Sequence, residues 1–319
     1  MTKSILVTGA AGFIGSHVAE ALLQRDQHVI AIDNFNDYYD PARKRANVAA
    51  FQNHPRLQLY EVDIHNNQAM VEIFTKHRPQ AVAHLGAYGG VRYSIGRARL
   101  YTEVNIVGTV NLLEAARQVG TEIFVFASTS SVYGQTGQLP FIETDACNLP
   151  LAPYPATKKA GEVMGYTYYN LHQLNFTALR FFSVYGPRGR PDMMPFMATE
   201  RIVKGQEIQL FDGGQMKRDW TYVDDIVEGV VAALEKPLGY EIINLGRGEP
   251  VLMADFVEII EALVGQKAIL STPPAPASEP KVTFANIDKA RRLLGYNPQT
   301  PVAEGLARLW SWYQNEVMP

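Results

Sequence analysis

The sequence predicts an α/β fold, a doubly wound parallel sheet followed by a smaller mixed α/β C-terminal domain. Three observations predict it. Short apolar runs alternate with segments of helical periodicity through the first 180 residues, a glycine-rich turn joins the first run to the first helical segment, and the alternation gives way after residue 180 to a less regular stretch. Repeated strand–helix–strand units imply parallel strands with helices on both faces.

The elements follow in order. Ser4–Thr8 is a short apolar run, and Phe13, Ile14, Val18 and Leu22 then recur at helical steps. Residues 29–32 form a second apolar run, 57–62 alternate like a strand, and 81–85 read as a buried strand. Residues 105–119 read as a helix, 123–127 as a strand, 154–171 as a long helix and 176–182 as a strand. Beyond these, prolines and glycines are denser between residues 185 and 214. Residues 223–234 look helical, 242–245 look like a strand returning to the sheet, and 302–317 read as a final helix. Pro273, Pro274, Pro276 and Pro280 punctuate a loop before it. The expected division is a sheet domain over 1–180, with a return excursion near 219–245, and a second domain over 181–319.

The chain has 319 residues, 47% of them hydrophobic, enough for a sizeable core across two domains. Its net charge of -3 argues against nucleic acid as a partner. No apolar stretch reaches the length of a membrane span. Cys147 is the single cysteine, which rules out an intramolecular disulfide and fits a reducing cytoplasm. We expect it to be structural. The histidines are scattered, and no metal site is expected.

The segment Thr8-Gly9-Ala10-Ala11-Gly12-Phe13-Ile14-Gly15 lies between the first strand and the first helix. Glycines there let the backbone turn sharply and approach a pyrophosphate, while the helix N-terminus offers free N–H groups. Strand, glycine loop and helix together point to a Rossmann-type dinucleotide site. Asp33 closes the second strand, 24 residues after Gly9, where a carboxylate accepts hydrogen bonds from adenine ribose hydroxyls. The same charge repels the extra phosphate of NADP, so NAD is the expected cofactor. Arg43, Lys44 and Arg45 are read as a solvated face.

Tyr154 and Lys158 are four apart at the head of the long helix, on one face. An ammonium beside a phenol favours the phenolate, which then takes a proton from a hydroxyl as hydride leaves the carbon. Pro155 suits a first turn and keeps Tyr154 at the helix mouth. Ser128, Thr129, Ser130 and Ser131 supply hydroxyls after the fifth strand, at the end of the sheet where ligands bind.

With these residues in hand, the sequence resembles the extended short-chain dehydrogenase/reductase family, in its nucleotide-sugar epimerase branch. The resemblance spans nearly the whole chain. It rests on the loop from Thr8 to Gly15, Asp33, Asp63-Ile64, His84-Leu85-Gly86-Ala87, Asn105, the Ser/Thr row and Tyr154/Lys158. It continues in Arg180-Phe-Phe-Ser-Val-Tyr-Gly-Pro187 and in Arg218-Asp219-Trp-Thr-Tyr-Val-Asp-Asp225. The resemblance implies roles. Thr129 would stand with Tyr154 and Lys158 as the third catalytic residue. Asn34, Asp63, Ile64, Leu85, Gly86, Ala87 and Asn105 would join the glycine loop and Asp33 around NAD. Arg218 would hold the substrate diphosphate, with Arg92 and Glu279 also on the substrate side. The family's dimers form through the helices read here at 105–119 and 154–171, so a homodimer is expected.

Sugar 4,6-dehydratases of this family carry Asp-Glu where Ser130-Ser131 stand, and related decarboxylases usually keep an acid at the second position. Serine has no usable acid–base pKa, so epimerisation without elimination is expected. The segment from Phe35 to Pro41 and the run from Gly189 to Met193 resemble the UDP-glucuronate 4-epimerases. In that group Thr129, Ser130, Ser131 and Ser183 would hold a sugar carboxylate through several small donors, with Arg190 contributing. Gly86, Tyr88, Ser278-Glu279 and Asn286 depart from the family's usual residues and bear on the sugar and nucleotide contacts. The expected reaction is C4 epimerisation of a UDP-sugar through a transient 4-keto intermediate, UDP-glucuronate to UDP-galacturonate. The alternatives are a UDP-glucose or UDP-N-acetylhexosamine 4-epimerase, a net dehydrogenase or reductase, and a non-catalytic NAD-binding sensor.

Overall fold

The first apolar run forms β1 (Ser4–Thr8), and the chain turns at Gly9 into α1 (Phe13–Gln24). There follow β2 (His28–Asp33), α2 (Pro41–Ala49), β3 (Leu57–Glu61), α3 (Asn67–His77) and β4 (Ala81–His84). Asp40 and Asn66 cap α2 and α3, accepting from Ala42 N at 2.9 Å and Ala69 N at 3.1 Å. Two single-turn helices, α4 (Val91–Ser94) and α5 (Ala98–Tyr101), lead through a π-helical segment (Thr102–Val107) into α6 (Gly108–Val119). The helical run expected from residue 105 therefore begins at Ala98, and Asn105 lies inside its wider π turn. Then come β5 (Ile123–Thr129), a 3-10 turn (Ser130–Tyr133), α7 (Pro153–His172) and β6 (Asn175–Phe181). Strand β5 continues through Ser128 and Thr129, so two of the hydroxyls read as following the strand belong to its last residues.

The later part of the chain holds β7 (Ser183–Tyr185), α8 (Met194–Val203), β8 (Glu207–Gln209), β9 (Lys217–Tyr222), α9 (Val223–Leu234) and β10 (Tyr240–Leu245). It ends with β11 (Pro250–Leu252), α10 (Met253–Val264), β12 (Ile269–Ser271), β13 (Val282–Thr283), α11 (Asp288–Leu294) and α12 (Val302–Glu316). This computed structural model describes residues 3–276 and 280–318.

Seven strands form one parallel sheet in the order β10-β6-β5-β4-β1-β2-β3. The winding reverses between β1 and β4, and the crevice beyond their carboxyl ends is where such sheets bind ligands. Alternate residues of each strand feed two cores, one per face. Leu6, Val82, Phe124 and Phe176 pack with α3, α6 and α7, and Val7, Ala83 and Val125 pack with α1 and α9. Helix α7 lies close on the sheet because Gly161 and Gly165 face Phe126 and Phe176. A Cβ on either glycine would come within 2.5 or 2.2 Å of a ring. A second sheet gathers β7, β11 and β13 around β9, and β12 pairs with β8.

Candidate active site

The glycine loop is built as a cradle. Gly9 takes φ +67°, a conformation that favours glycine, and its carbonyl accepts from Gly12 N at 2.9 Å. A Cβ on Gly15 would sit 1.9 Å from that carbonyl oxygen, so α1 meets the turn only because the side chain is absent. On the other side Gly9 touches Gly86, and Gly86 N donates to Thr8 Oγ1 at 3.0 Å.

Beyond the cradle, Asp33 is buried, its carboxylate accepting from Ala11 N at 3.0 Å and Phe35 N at 2.8 Å. Burial raises its pKa, while the Phe35 amide and the charge of Lys44 pull the other way. Asn34 donates to Asp63 at 2.5 Å, tying the ends of β2 and β3 together.

Gly9, Gly12, Phe13, Ile14, Gly15, Asp33, Asn34, Asp63, Ile64, Leu85, Gly86, Ala87, Tyr154, Lys158 and Arg190 line one cleft of about 1090 Å³, part of it open to solvent. Three features of it suit NAD: a cradle that a Cβ would fill, a helix N-terminus facing it, and a carboxylate at the end of β2. Tyr39 adds a buried hydroxyl without a protein partner, on a residue that lines the same cleft.

At the other end, Tyr154 sits in the first turn of α7 and Lys158 one turn on, buried. The Thr129 hydroxyl, at the end of β5, stands near enough to Tyr154 to act on its phenol. Burial raises the Tyr154 pKa, and the Thr129 hydroxyl and the Arg190 charge oppose it. Burial also lowers Lys158 to about 7. The expected pull of Lys158 on the phenol is not among the causes acting on Tyr154; the cation that does act there is Arg190. Its guanidinium is paired with Asp192, at 2.9 Å through Nε and 2.7 Å through Nη2, and lies 5.2 Å from the centre of the Tyr38 ring.

Other residues lie outside the cleft lining. Asn105 is buried behind it, accepting from Tyr88 N at 2.9 Å and donating to Tyr88 O and Thr157 Oγ1, so it shapes the 86–88 wall. Ser130 and Ser131 form the turn after Thr129, and Ser131 N donates to Thr129 Oγ1 at 3.2 Å. Ser183 begins β7. Arg92 stacks over Phe211 at 4.9 Å, and Arg218 donates to Lys217 O and Met216 Sδ. Glu279 and Ser278 lie outside the described residues. Asn286 turns its side chain onto Asp288.

Lys44 and Gly89 line the cleft without having been read as site residues; Asn36, Tyr38 and Tyr39, read only within the Phe35–Pro41 segment, and Ser128 of the hydroxyl row line it too. Lys44 corrects an explicit expectation. It is buried, not solvated, donating to Asn36 O at 2.8 Å and Asn36 Oδ1 at 2.6 Å, with its charge near Asp33. Helix α2 turns it inward, and the middle position of a three-residue charge run on a capped helix is the only hint the sequence held. Cys147 is buried, and its thiol is pushed up to about 11, so it is not a nucleophile at neutral pH. His84 is buried between Thr8 at 2.8 Å and Thr109 at 2.9 Å. Among the described residues no cluster of His, Cys, Asp and Glu could hold a metal ion, and no helix is long and apolar enough to cross a membrane.

With this geometry established, the comparisons decide the family. The profile of the NAD dependent epimerase/dehydratase family matches residues 5–246. The chain belongs to that family. It is 43% identical to UDP-glucuronate 4-epimerase of Thermodesulfobacterium geofontis over 314 residues, 98% of this chain and 96% of the relative. The fold matches UDP-glucuronic acid 4-epimerase of Bacillus cereus, solved with UDP-glucuronic acid and NAD. That match has TM-score 0.92 and 35% identity over 98% of this chain and 99% of that one. UDP-glucose 4-epimerase of Thermotoga maritima, solved with UDP-glucose, matches with TM-score 0.88 and 30% identity over 98% and 99%.

Proposed function

We propose that this protein is an NAD-dependent nucleotide-sugar 4-epimerase that interconverts UDP-glucuronate and UDP-galacturonate. The observation that carries the reading is that Tyr154 and Lys158, one turn apart on α7, line the same cleft as the glycine cradle and Asp33. The 43% identical UDP-glucuronate 4-epimerase supports the choice of sugar.

The cradle from Gly9 to Gly15, Asp33, Asn34, Asp63 and Ile64 would hold the adenosine and diphosphate of NAD, with Leu85, Gly86 and Ala87 toward the catalytic end. Bound NAD supplies a hydride acceptor that is regenerated each cycle. Tyr154 takes the proton of the C4 hydroxyl as C4 is oxidised and returns it at the end. Thr129 donates to the phenolate and holds it in place. Lys158, with a pKa about 7, takes up a proton when the phenolate forms and needs it. Arg190 adds a fixed positive charge beside the same oxygen.

On the uronate, the 4-keto intermediate is a β-keto acid able to lose carbon dioxide. Ser131 offers no acid to assist that loss or an elimination. We assign Ser130, Ser131, Ser183, Arg92, Arg218 and Glu279 to the substrate side. We also assign residues 1–180, with the 219–245 excursion, to NAD, and 181–319 to the nucleotide sugar. Val107, Val163 and Tyr166 are exposed apolar residues around the packed pair α6 and α7, which favours a homodimer through those helices. The reading places the protein in the cytoplasm.

Incubating the protein with UDP-glucuronate and separating the products by chromatography tests the proposal. UDP-galacturonate is expected. A UDP-pentose would overturn epimerisation, and turnover of neutral UDP-hexoses alone would move the substrate to the second reading, for which the Thermotoga maritima match speaks.

A further inference from the structure

Helix α7 presents Tyr154, Lys158 and Glu162 at successive turns of one face. Glu162 is fully buried, and so is Arg180 of β6. Their contact is bidentate: Arg180 Nε donates to Glu162 Oε1 at 2.8 Å and Nη2 to Oε2 at 2.9 Å. The Ser128 hydroxyl donates to the same Oε1 at 2.7 Å. Lys159 reaches Oε2 at 3.3 Å. The Arg180 guanidinium also lies 4.7 Å from the centre of the Tyr133 ring, and the Tyr133 hydroxyl is held by Asn244 at 2.7 Å.

Two features single this group out. Ser128 is the residue before Thr129 and faces Arg180 in the β5–β6 register. The charge pair therefore grips the end of β5 beside Thr129 on one side and α7, two turns past Tyr154, on the other. A buried ion pair adds little net stability over apolar residues of the same size, because desolvation offsets its attraction. Its distinctive property is directional: a fork of fixed geometry allows one placement of the helix along the strand.

We propose that Glu162 and Arg180 are positioning residues that set the register of α7 against β5, and through Ser128 place Thr129 on the Tyr154 phenol. Neither touches the reacting atoms. The proposal rests on the epimerase reading for its kinetic test and on geometry alone for its spectroscopic one.

The experiment compares the full-length parent, E162Q, the apolar pair R180M/E162L and S128A. In each, kcat, KM, bound NAD and thermal midpoint are measured. The Tyr154 phenol is also titrated by ultraviolet difference against Y154F. The expected result is kcat lower by roughly ten- to a hundredfold in E162Q and in the apolar pair, with KM within about threefold and NAD retained. The Tyr154 titration moves to higher pH as Thr129 shifts away from the phenol. The apolar pair melts no lower than the parent, which separates positioning from stability. S128A, which removes one hydroxyl, shows the same kcat loss in smaller degree and decides the matter if the double variant does not fold. Parent-like kcat and phenol titration in either the apolar pair or S128A overturns the proposal. Absence of turnover in the parent contradicts the epimerase reading instead, and the phenol titration then tests the positioning alone.

Discussion

The ammonium of Lys158 lies 4.7 Å from the centre of the Phe126 ring, inside the protein and one helical turn from Tyr154. Cation–π contact does not replace lost hydration, and burial brings its pKa from 10.5 down to about 7. Below about pH 7 the fold must hold a buried ammonium. Between pH 7 and 10.5 the unfolded chain keeps a proton that the folded chain has released, so this residue's contribution to stability rises with pH across that window. K158M, stripped of cofactor, is expected to be more stable than the parent by about 1–4 kcal/mol at pH 6, with the gain vanishing toward pH 10. Thermal unfolding of both proteins from pH 6 to pH 10 checks this. A gain that grows with pH would be inconsistent with a lysine neutralised by burial.

Removing the Tyr154 hydroxyl separates chemistry from cofactor binding. Y154F keeps the ring that packs 6.2 Å from Tyr101 and should keep bound NAD. Turnover should fall by roughly 10²–10⁴-fold, the contribution of a positioned proton acceptor. Steady-state kinetics and the NAD content of the purified variant report the two effects. A sensor that binds NAD without chemistry would show no turnover in the parent to lose.

Much of the site was legible because its residues are neighbours in sequence. The loop from Gly9 to Gly15 sits where a strand must become a helix, and Tyr154 and Lys158 share one helix, so spacing together with the strand–helix context placed them. Asp33 was legible as the end of the second strand. Lys44 was not, because its inward turn depends on the contact between α2 and the loop at Asn36. Arg190 was legible only through resemblance, and its contact with Tyr38 joins segments 152 residues apart. The parallel sheet followed from alternation in the first 180 residues and the return strand read at 242–245, which is β10; the order of its strands was not read. The short strands β7, β8, β11, β12 and β13 carry two or three residues each, too few to show a period.

The burial of Lys44 near Asp33 bears on cofactor choice. With Asp33 removed, the lysine charge loses the carboxylate that acts on it most strongly, Asp37 remaining, and can meet a 2′-phosphate. D33A is expected to lower the preference for NAD over NADP by at least about tenfold, or about 1.4 kcal/mol. D33A/K44M should lose NAD affinity without gaining NADP. Calorimetric titration with both cofactors measures it, and an unchanged ratio in D33A would remove Asp33 from the ribose site.

The hydrogen at C4 gives the most direct measurement. UDP-glucuronate carrying deuterium at C4 should yield UDP-galacturonate with the deuterium still on C4, read by NMR, because a hydride that leaves C4 and returns to it does not exchange with solvent protons. Reduced NAD should not accumulate. Replacement of the label by solvent hydrogen would contradict transient oxidation at C4 by the Thr129–Tyr154–Lys158 group.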